Sequence, residues 1–186
     1  SPVARGLSAP LNIPYSVAFI LDVAGDNEAL VSRNGTGIES VADLKGKRVA
    51  TPFASTAHYS LLAALDQAGL SAADVQLIDL QPQAILAAWE RGDIAAAYTW
   101  LPTLDQLSQT GKTLVTSRQL AERGKPTLDL AAVSDTFAKD NPKVVDIWRQ
   151  QQARALTVIA QDPDSAAEAV AAEVGLSTDD VAQQLK

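Results

Sequence analysis

Short apolar segments alternate with helical segments through most of the sequence. The predicted strands are Val17–Leu21, Ala29–Val31, Arg48–Ala50, Val75–Ile78 and Ala95–Tyr98. Between the later strands, residues typical of helices fill Tyr59–Ala68, Ala84–Trp89 and Pro102–Leu107, and in the first of these the apolar residues recur at helical spacing. This alternation is typical of crossover units, in which a helix connects neighbouring strands of one sheet, so it predicts an α/β fold.

The pattern changes after one further predicted strand, Leu128–Val133. The rest of the sequence favours helices over Pro142–Ala160, Ser165–Val174 and Thr178–Leu185. The change from alternating elements to helices alone predicts two structural regions.

Composition excludes several classes of function. Hydrophobic residues make up 47% of the 186 residues and charged residues 20%, which is a globular composition. The sequence has no cysteine, which rules out disulfides, thiolate metal sites and thiol nucleophiles. It has one histidine and no acidic run with calcium-loop spacing, so we expect no metal and no cofactor. The net charge is −7 and the longest basic cluster, Lys45, Lys47 and Arg48, is short, so we expect no nucleic-acid partner.

The sequence also bears on processing and membrane insertion. Apolar runs such as Val17–Leu21 are much shorter than the roughly 20 residues of a membrane-spanning helix. The chain contains no methionine and starts at Ser1, so we expect a processed chain or a trimmed fragment.

The clearest local motif is the passage from strand to helix over Val49–Ser60. Ser55 or Thr56 is well placed to cap the helix, and a helix N-terminus presents unpaired N–H groups and a partial positive charge. The motif therefore indicates an anion site, with a simple helix cap as the alternative. His58 lies just inside the helix, and no Gly-x-Ser-x-Gly elbow accompanies it, so we expect a packing or hydrogen-bonding residue and no hydrolytic triad.

Three other positions are candidates for a ligand site. Trp100 follows a predicted strand at its C-terminal end, where open parallel sheets bind ligands, and core packing is its alternative role. Asp129 stands between apolar neighbours at the start of a strand, where it is either a solvated edge residue or a partner for a cation. Asn27 and Glu28 precede a strand and are consistent with a plain loop.

Several of these segments, in this order and spacing, resemble a known family. They include Asp43–Ala50, Pro52–Leu62, Leu80–Pro82, Ala87–Ile94, Ala97–Trp100 and Pro126–Asp129. Over about residues 1–150 the sequence resembles the periplasmic substrate-binding proteins of aliphatic sulfonate and nitrate-type ABC importers. The Ser-Thr-x-His-Tyr-Ser-Leu-Leu and Pro-Thr-Leu-Asp segments are most similar to the taurine-binding members.

The resemblance implies a two-lobed α/β fold of the type II periplasmic-binding-protein kind, with a first lobe that is incomplete in this chain. Residues 1–33 would hold part of lobe 1 and the outgoing crossover strand, and residues 34–126 would form lobe 2. Residues 127–186 would hold the returning crossover strand and the C-terminal helices of lobe 1.

The same resemblance implies a non-enzymatic function, the capture of taurine or a related small sulfonate by closure of the lobes, in the periplasm and together with a membrane permease. The backbone N–H groups of Ser55, Thr56 and Ala57 and the two hydroxyls would hold the sulfonate. Asp129 would pair with the ligand ammonium, and Trp100 would close over the short chain. Asn27, Glu28 and His58 are further ligand-binding candidates.

Two other functions stay open on the sequence alone. One is an enzyme on the same fold, such as a thiamine-pyrimidine precursor synthase, which needs His, Cys or metal ligands that are scarce here. The other is the effector-sensing domain of a transcription factor, which shares the fold at about this length.

Overall fold

A computed structural model describes residues 6–185 of the chain. Seven strands are present in this range: β1 (Tyr15–Val23), β2 (Glu28–Arg33), β3 (Arg48–Thr51), β4 (Gln76–Asp79), β5 (Ala96–Trp100), β6 (Gly111–Thr116) and β7 (Leu128–Ser134). The helices are α1 (Thr56–Gln67), α2 (Pro82–Arg91), α3 (Thr103–Ser108), α4 (Ser117–Glu122), α5 (Asp135–Asp140), α6 (Pro142–Gln161), α7 (Pro163–Val174) and α8 (Thr178–Gln184). Short 3-10 turns occupy Val41–Leu44 and Ala72–Asp74.

Five strands form a mixed sheet in the order β4-β3-β5-β2-β6, and β1 pairs with β7 in a second sheet. Strand β3 runs parallel to both β4 and β5, whereas β2 runs antiparallel to both β5 and β6. Consequently the start of β2 lies beside the end of β5, and Glu28 is opposite Trp100. This reversal brings residues from distant parts of the sequence to one end of the sheet.

The central strands β2, β3 and β5 are buried on both faces of the sheet, and their successive side chains point to opposite faces. On one face Leu30, Val49 and Tyr98 pack against α1, whose contacts include Leu61 and Leu65. On the other face the intervening residues Val31, Ala50 and Ala97 pack against apolar side chains of α2 and α3. Helices thus cover both sides of a mainly apolar sheet, which is an α/β architecture, the class that the sequence predicted.

The described residues divide into two compact units, residues 6–12 with 20–130, and residues 13–19 with 131–185. In the second unit Ala167 and Ala171 of α7 pack against Val181 of α8. The Phe19 and Trp148 rings meet edge to face at 4.7 Å in the same unit. The lobe boundaries inferred from the sequence remain a prediction, and their residues 1–5 and 186 lie outside the described range.

Most predicted elements are present with ends that differ by at most three residues. Strand β6 and the short helices α4 and α5 were not predicted. Helix α4 is six residues long and is mostly polar, which gives little periodic signal. Its one local signal is the Thr116-x-x-Gln119 capping box, in which each side chain accepts a hydrogen bond from the other residue's backbone N–H.

Candidate ligand-binding pocket

A cavity of about 410 Å³ opens where β2 begins and β5 ends, beside the N-terminus of α1. Its lining residues all belong to the first compact unit. They are Ala24, Asn27, Glu28, Ser55, Thr56, Trp100, Leu101 and Asp129. Six of the eight residues that the sequence singled out therefore line one cavity.

Glu28 is the most unusual of these residues, because it is a carboxylate with only 3% of its surface exposed. Its Oε2 accepts a 2.5 Å hydrogen bond from the Thr56 hydroxyl, and its Oε1 accepts from Ser117 at 2.7 Å and from Ser60 at 3.2 Å. A carboxylate offers about four acceptor positions, so three are used and one on Oε2 is left. The three hydroxyls stabilise the charged form of a group that burial alone would make costly.

The hydroxyl network continues away from the pocket. The Tyr98 hydroxyl lies 2.9 Å from Ser117 Oγ. Since Ser117 gives its one hydrogen to Glu28, Tyr98 is the donor in that second contact, and the chain runs from Tyr98 through Ser117 to the carboxylate. Burial raises the pKa of the Tyr98 hydroxyl, so it keeps its proton.

Electrostatics in the pocket favour a cation. Burial raises the pKa of Glu28, the three hydroxyls oppose that shift, and the charge of Asp129 adds to it. Partial burial likewise raises the pKa of Asp129, helped by the nearby charge of Asp22. Glu28 and Asp129 therefore both have raised pKa values and line the same cavity. A positively charged group between them would stabilise the ionised form of each.

The N-terminus of α1 supplies hydrogen-bond donors to the same cavity. Ser55 is the N-cap: its Oγ accepts from the His58 N–H at 3.1 Å and donates to the Pro52 carbonyl at 2.5 Å. The Thr56 hydroxyl is likewise committed to Glu28. Both hydroxyl hydrogens are therefore used within the protein. The backbone N–H groups of Ser55 and Thr56 have no acceptor among residues 6–185, which leaves them free for an anion.

Ala57 and His58, the remaining candidates in α1, lie outside the cavity lining. Ala57 is fully buried. The His58 ring stacks on Phe53 with centroids 4.4 Å apart, and its Nδ1 accepts from the Ala54 N–H at 3.2 Å. Burial lowers the pKa of His58, partly offset by Asp79. These contacts give His58 the packing and hydrogen-bonding role that the sequence favoured.

Asn27 and Trp100 complete the wall of the cavity. The Asn27 side chain accepts from the Gly25 N–H at 2.7 Å and donates to Asp22 at 3.1 Å, while its carbonyl accepts from the Leu101 N–H at 3.0 Å. Asn27 thus ties the loop before β2 to the end of β5. Trp100 is half-buried, packing partly on the core, and so it offers one part of its surface to the cavity.

Sequence reasoning missed Ser60, Ser117 and Tyr98. Ser60 lies four residues after Thr56 on α1, so both hydroxyls share one helix face, a spacing visible in the sequence. Ser117 belongs to α4 and Tyr98 to the core-facing side of β5. No local pattern connects residues 28, 98 and 117, because their contact depends on the order of the strands.

A family model described as NMT1/THI5 like matches residues 16–166. The chain belongs to the NMT1/THI5-like family. Curated relatives confirm the resemblance to sulfonate-type binding proteins that the sequence indicated. The taurine-binding periplasmic protein of Escherichia coli (strain K12) is 42% identical over 164 residues, covering 88% of this chain and 50% of that protein. The chain therefore spans about half the length of that curated relative.

Solved structures share the fold of this NMT1/THI5-like chain. The periplasmic aliphatic sulphonate binding protein SsuA from Escherichia coli superposes with a TM-score of 0.83 at 24% identity, covering 99% of this chain and 62% of its own. The expected α/β periplasmic-binding-protein fold is thereby confirmed. The desulfurization enzyme DszB superposes with a TM-score of 0.65 at 17% identity, covering 95% of this chain and 65% of its own. The same fold thus occurs in binding proteins and in an enzyme.

Within residues 6–185 no helix combines the length and hydropathy needed to cross a membrane. In the same range no three His, Cys, Asp or Glu side chains are grouped as metal ligands.

Proposed function

We propose that this chain is the ligand-binding part of an ABC-importer substrate-binding protein and that it captures taurine or a closely related aminosulfonate. The observation that supports this most directly is the pairing, in one cavity, of free backbone N–H donors with two carboxylates. A ligand that carries an anionic group and an ammonium satisfies both sets at once.

The donor side of the pocket suits a sulfonate. A sulfonate is fully ionised at neutral pH and only accepts hydrogen bonds, so it needs donors and no acceptor. The free N–H groups of Ser55 and Thr56 stand at the positive end of the α1 helix dipole. We assign sulfonate binding to these two groups and not to the hydroxyls expected from the sequence, whose hydrogens are donated to the Pro52 carbonyl and to Glu28.

The acceptor side suits an ammonium. Asp129 and the one unused acceptor position of Glu28 would receive its hydrogens, and the charge would relieve the repulsion between the two carboxylates. The Trp100 ring would add a cation–π contribution of about 0.5–2 kcal/mol. Asn27 holds the wall in place through its three hydrogen bonds and does not itself need to contact the ligand.

The name of a close relative supports a periplasmic location. The 42% identical relative is named as a taurine-binding periplasmic protein, and we therefore propose a periplasmic location for this chain as well. In this role the protein would deliver its ligand to an ABC permease and would catalyse no reaction. The pocket fits that role, since its groups bind and orient charge, and His58 is held by stacking outside the cavity lining.

Calorimetric titration of the chain with taurine, ethanesulfonate, nitrate and sulfate tests this function. We expect saturable one-to-one binding of taurine that is at least about tenfold tighter than binding of ethanesulfonate, which lacks the ammonium. Equal affinity for taurine and ethanesulfonate would show that the ammonium contributes nothing to binding and that the pocket is a general sulfonate site. Absence of binding by either sulfonate would overturn the proposal.

A further inference from the structure

A second cavity, of about 320 Å³, lies at the opposite end of the five-stranded sheet. The first cavity adjoins the start of β2 and the end of β5, whereas this one adjoins the end of β2 and the starts of β3 and β4. Its walls include Arg33, the last residue of β2, and Arg48, the first residue of β3, together with Lys47 and Gln76. No residue is common to the linings of the two cavities.

The cavity concentrates positive charge on a protein whose net charge is −7. Three cationic side chains line it, those of Arg33, Lys47 and Arg48, and none of them has an ion-pair partner among residues 6–185. The only carboxylate in the lining is Asp93, and the Arg91 Nε already binds it at 2.7 Å. Within the described residues, three cations without ion-pair partners therefore line a cavity whose one carboxylate is already paired with Arg91.

Arg33 supplies the second observation. Its Nε is shielded from solvent and has no hydrogen-bond partner in the described part of the chain. The guanidinium lies against Gly92, where a Cβ would approach its terminal nitrogens to 3.0 Å. Gly92 has a φ of +75°, so the absence of a side chain serves both the turn and the close approach of Arg33. A shielded cationic donor without an acceptor is rare in native proteins and indicates a missing partner.

We propose that this cavity, which we name the Arg33 cavity, is a second anion site that binds a small multivalent oxyanion of the phosphate class. Arg33 and Arg48 offer planar forks that match phosphate oxygens, and Lys47 adds a point charge. The volume greatly exceeds the ~30 Å³ of a water molecule, so a hydrated oxyanion fits. The Thr36 hydroxyl is committed to the Arg33 carbonyl at 2.6 Å, so the cations are the recognising groups.

Titration with inorganic pyrophosphate, followed by calorimetry and by phosphorus NMR line widths, tests this site. We compare the wild-type chain with Arg33→Gln, Arg48→Gln and the control Arg123→Gln, which removes an exposed cation on the same unit outside the cavity. Arg48 is exposed at a strand end, so its variant should fold normally. Glu28→Gln is included as a reporter of the first cavity.

The expected result is one bound pyrophosphate per chain, a loss of affinity of about tenfold in each of the Arg33 and Arg48 variants, and less than about a twofold change in Arg123→Gln. Glu28→Gln should leave pyrophosphate affinity unchanged. Equal losses in all three arginine variants would show non-specific attraction and overturn the proposal. So would a wild-type chain that does not bind pyrophosphate, or binding that changes with Glu28→Gln. Taurine binding is measured separately, so the proposal for the Arg33 cavity and the proposed taurine function can each be refuted independently of the other.

Discussion

Replacing Glu28 by glutamine removes one negative charge from the proposed taurine pocket and keeps the size of the side chain. The carboxylate is 3% exposed and has one acceptor position left after its three hydroxyl contacts. A hydrogen bond to a charged group contributes about 1.5–3 kcal/mol, so the loss corresponds to roughly 10–150-fold in taurine affinity. Because Glu28 is the more deeply buried of the two carboxylates, we expect a value toward the upper end of that range.

Ethanesulfonate makes the prediction sharper, since it has the sulfonate and no ammonium. An ionised Glu28 repels this ligand, so Glu28→Gln should leave its affinity unchanged or raise it. The same substitution is thus expected to weaken taurine binding without weakening ethanesulfonate binding. A general loss of pocket structure would weaken both.

The assay is calorimetric titration of wild type and variant with both ligands at pH 7, preceded by thermal unfolding to show that the variant folds. Wild-type titrations in two buffers of different ionisation enthalpy add a second readout. Burial raises the pKa of Glu28 in the free protein, and an ammonium beside it would lower that pKa. Taurine binding should therefore release protons at a pH close to the raised pKa. Parallel losses of taurine and ethanesulfonate affinity, with no proton release, would refute the assignment.

Four further outcomes follow from the same contacts. Because the pKa of Glu28 is raised, the free energy of unfolding should fall as pH rises from the ordinary glutamate pKa to the raised one, and Glu28→Gln should flatten this dependence in pH-dependent denaturant titrations. Asp129→Asn should weaken taurine by about tenfold and leave ethanesulfonate within about twofold, as measured by calorimetry; equal losses would exclude an ammonium contact. Trp100→Leu should lower the binding free energy of taurine by about 0.5–2 kcal/mol more than that of ethanesulfonate in the same titrations, and equal losses for the two ligands would exclude a cation–π contribution. Ser55→Ala removes the N-cap acceptor of α1 and should lower the free energy of unfolding by about 1 kcal/mol, whereas Ser55→Asp should retain most of it.

The elements that sequence reasoning located correctly carry strong local signals. Helix α1 has both a capping residue at Ser55 and apolar residues at helical spacing, and the structure begins the helix one residue later. Trp100 was expected at the C-terminal end of a strand, and it is the last residue of β5. In these cases the property that identifies the element depends only on neighbouring residues.

Other features depend on contacts that no local pattern records. Glu28 looked like part of a plain loop, yet it is the first residue of a strand that lies between two others and is buried along nearly its whole length. Its three hydroxyl partners come from α1 and α4, up to 89 residues away. The hydroxyls of Ser55 and Thr56 were expected to bind a ligand, and only the three-dimensional contacts reveal that both hydrogens are already donated.

The position of Thr56 limits the ligands that can use both sides of the proposed pocket. Its hydroxyl donates to Glu28, while its backbone N–H, a few bonds away, is free. Thr56 therefore places a donor for an anion beside the Glu28 carboxylate that would accept from a cation, so the opposite charges of a ligand that uses both must also be close together. Taurine, with two carbons between ammonium and sulfonate, meets this condition, and a longer aminosulfonate must fold back to meet it at a cost in conformational entropy. Because Glu28 is fixed by three hydroxyls and buried in the sheet, it cannot move to follow a longer ligand, and the spacing is set by the fold.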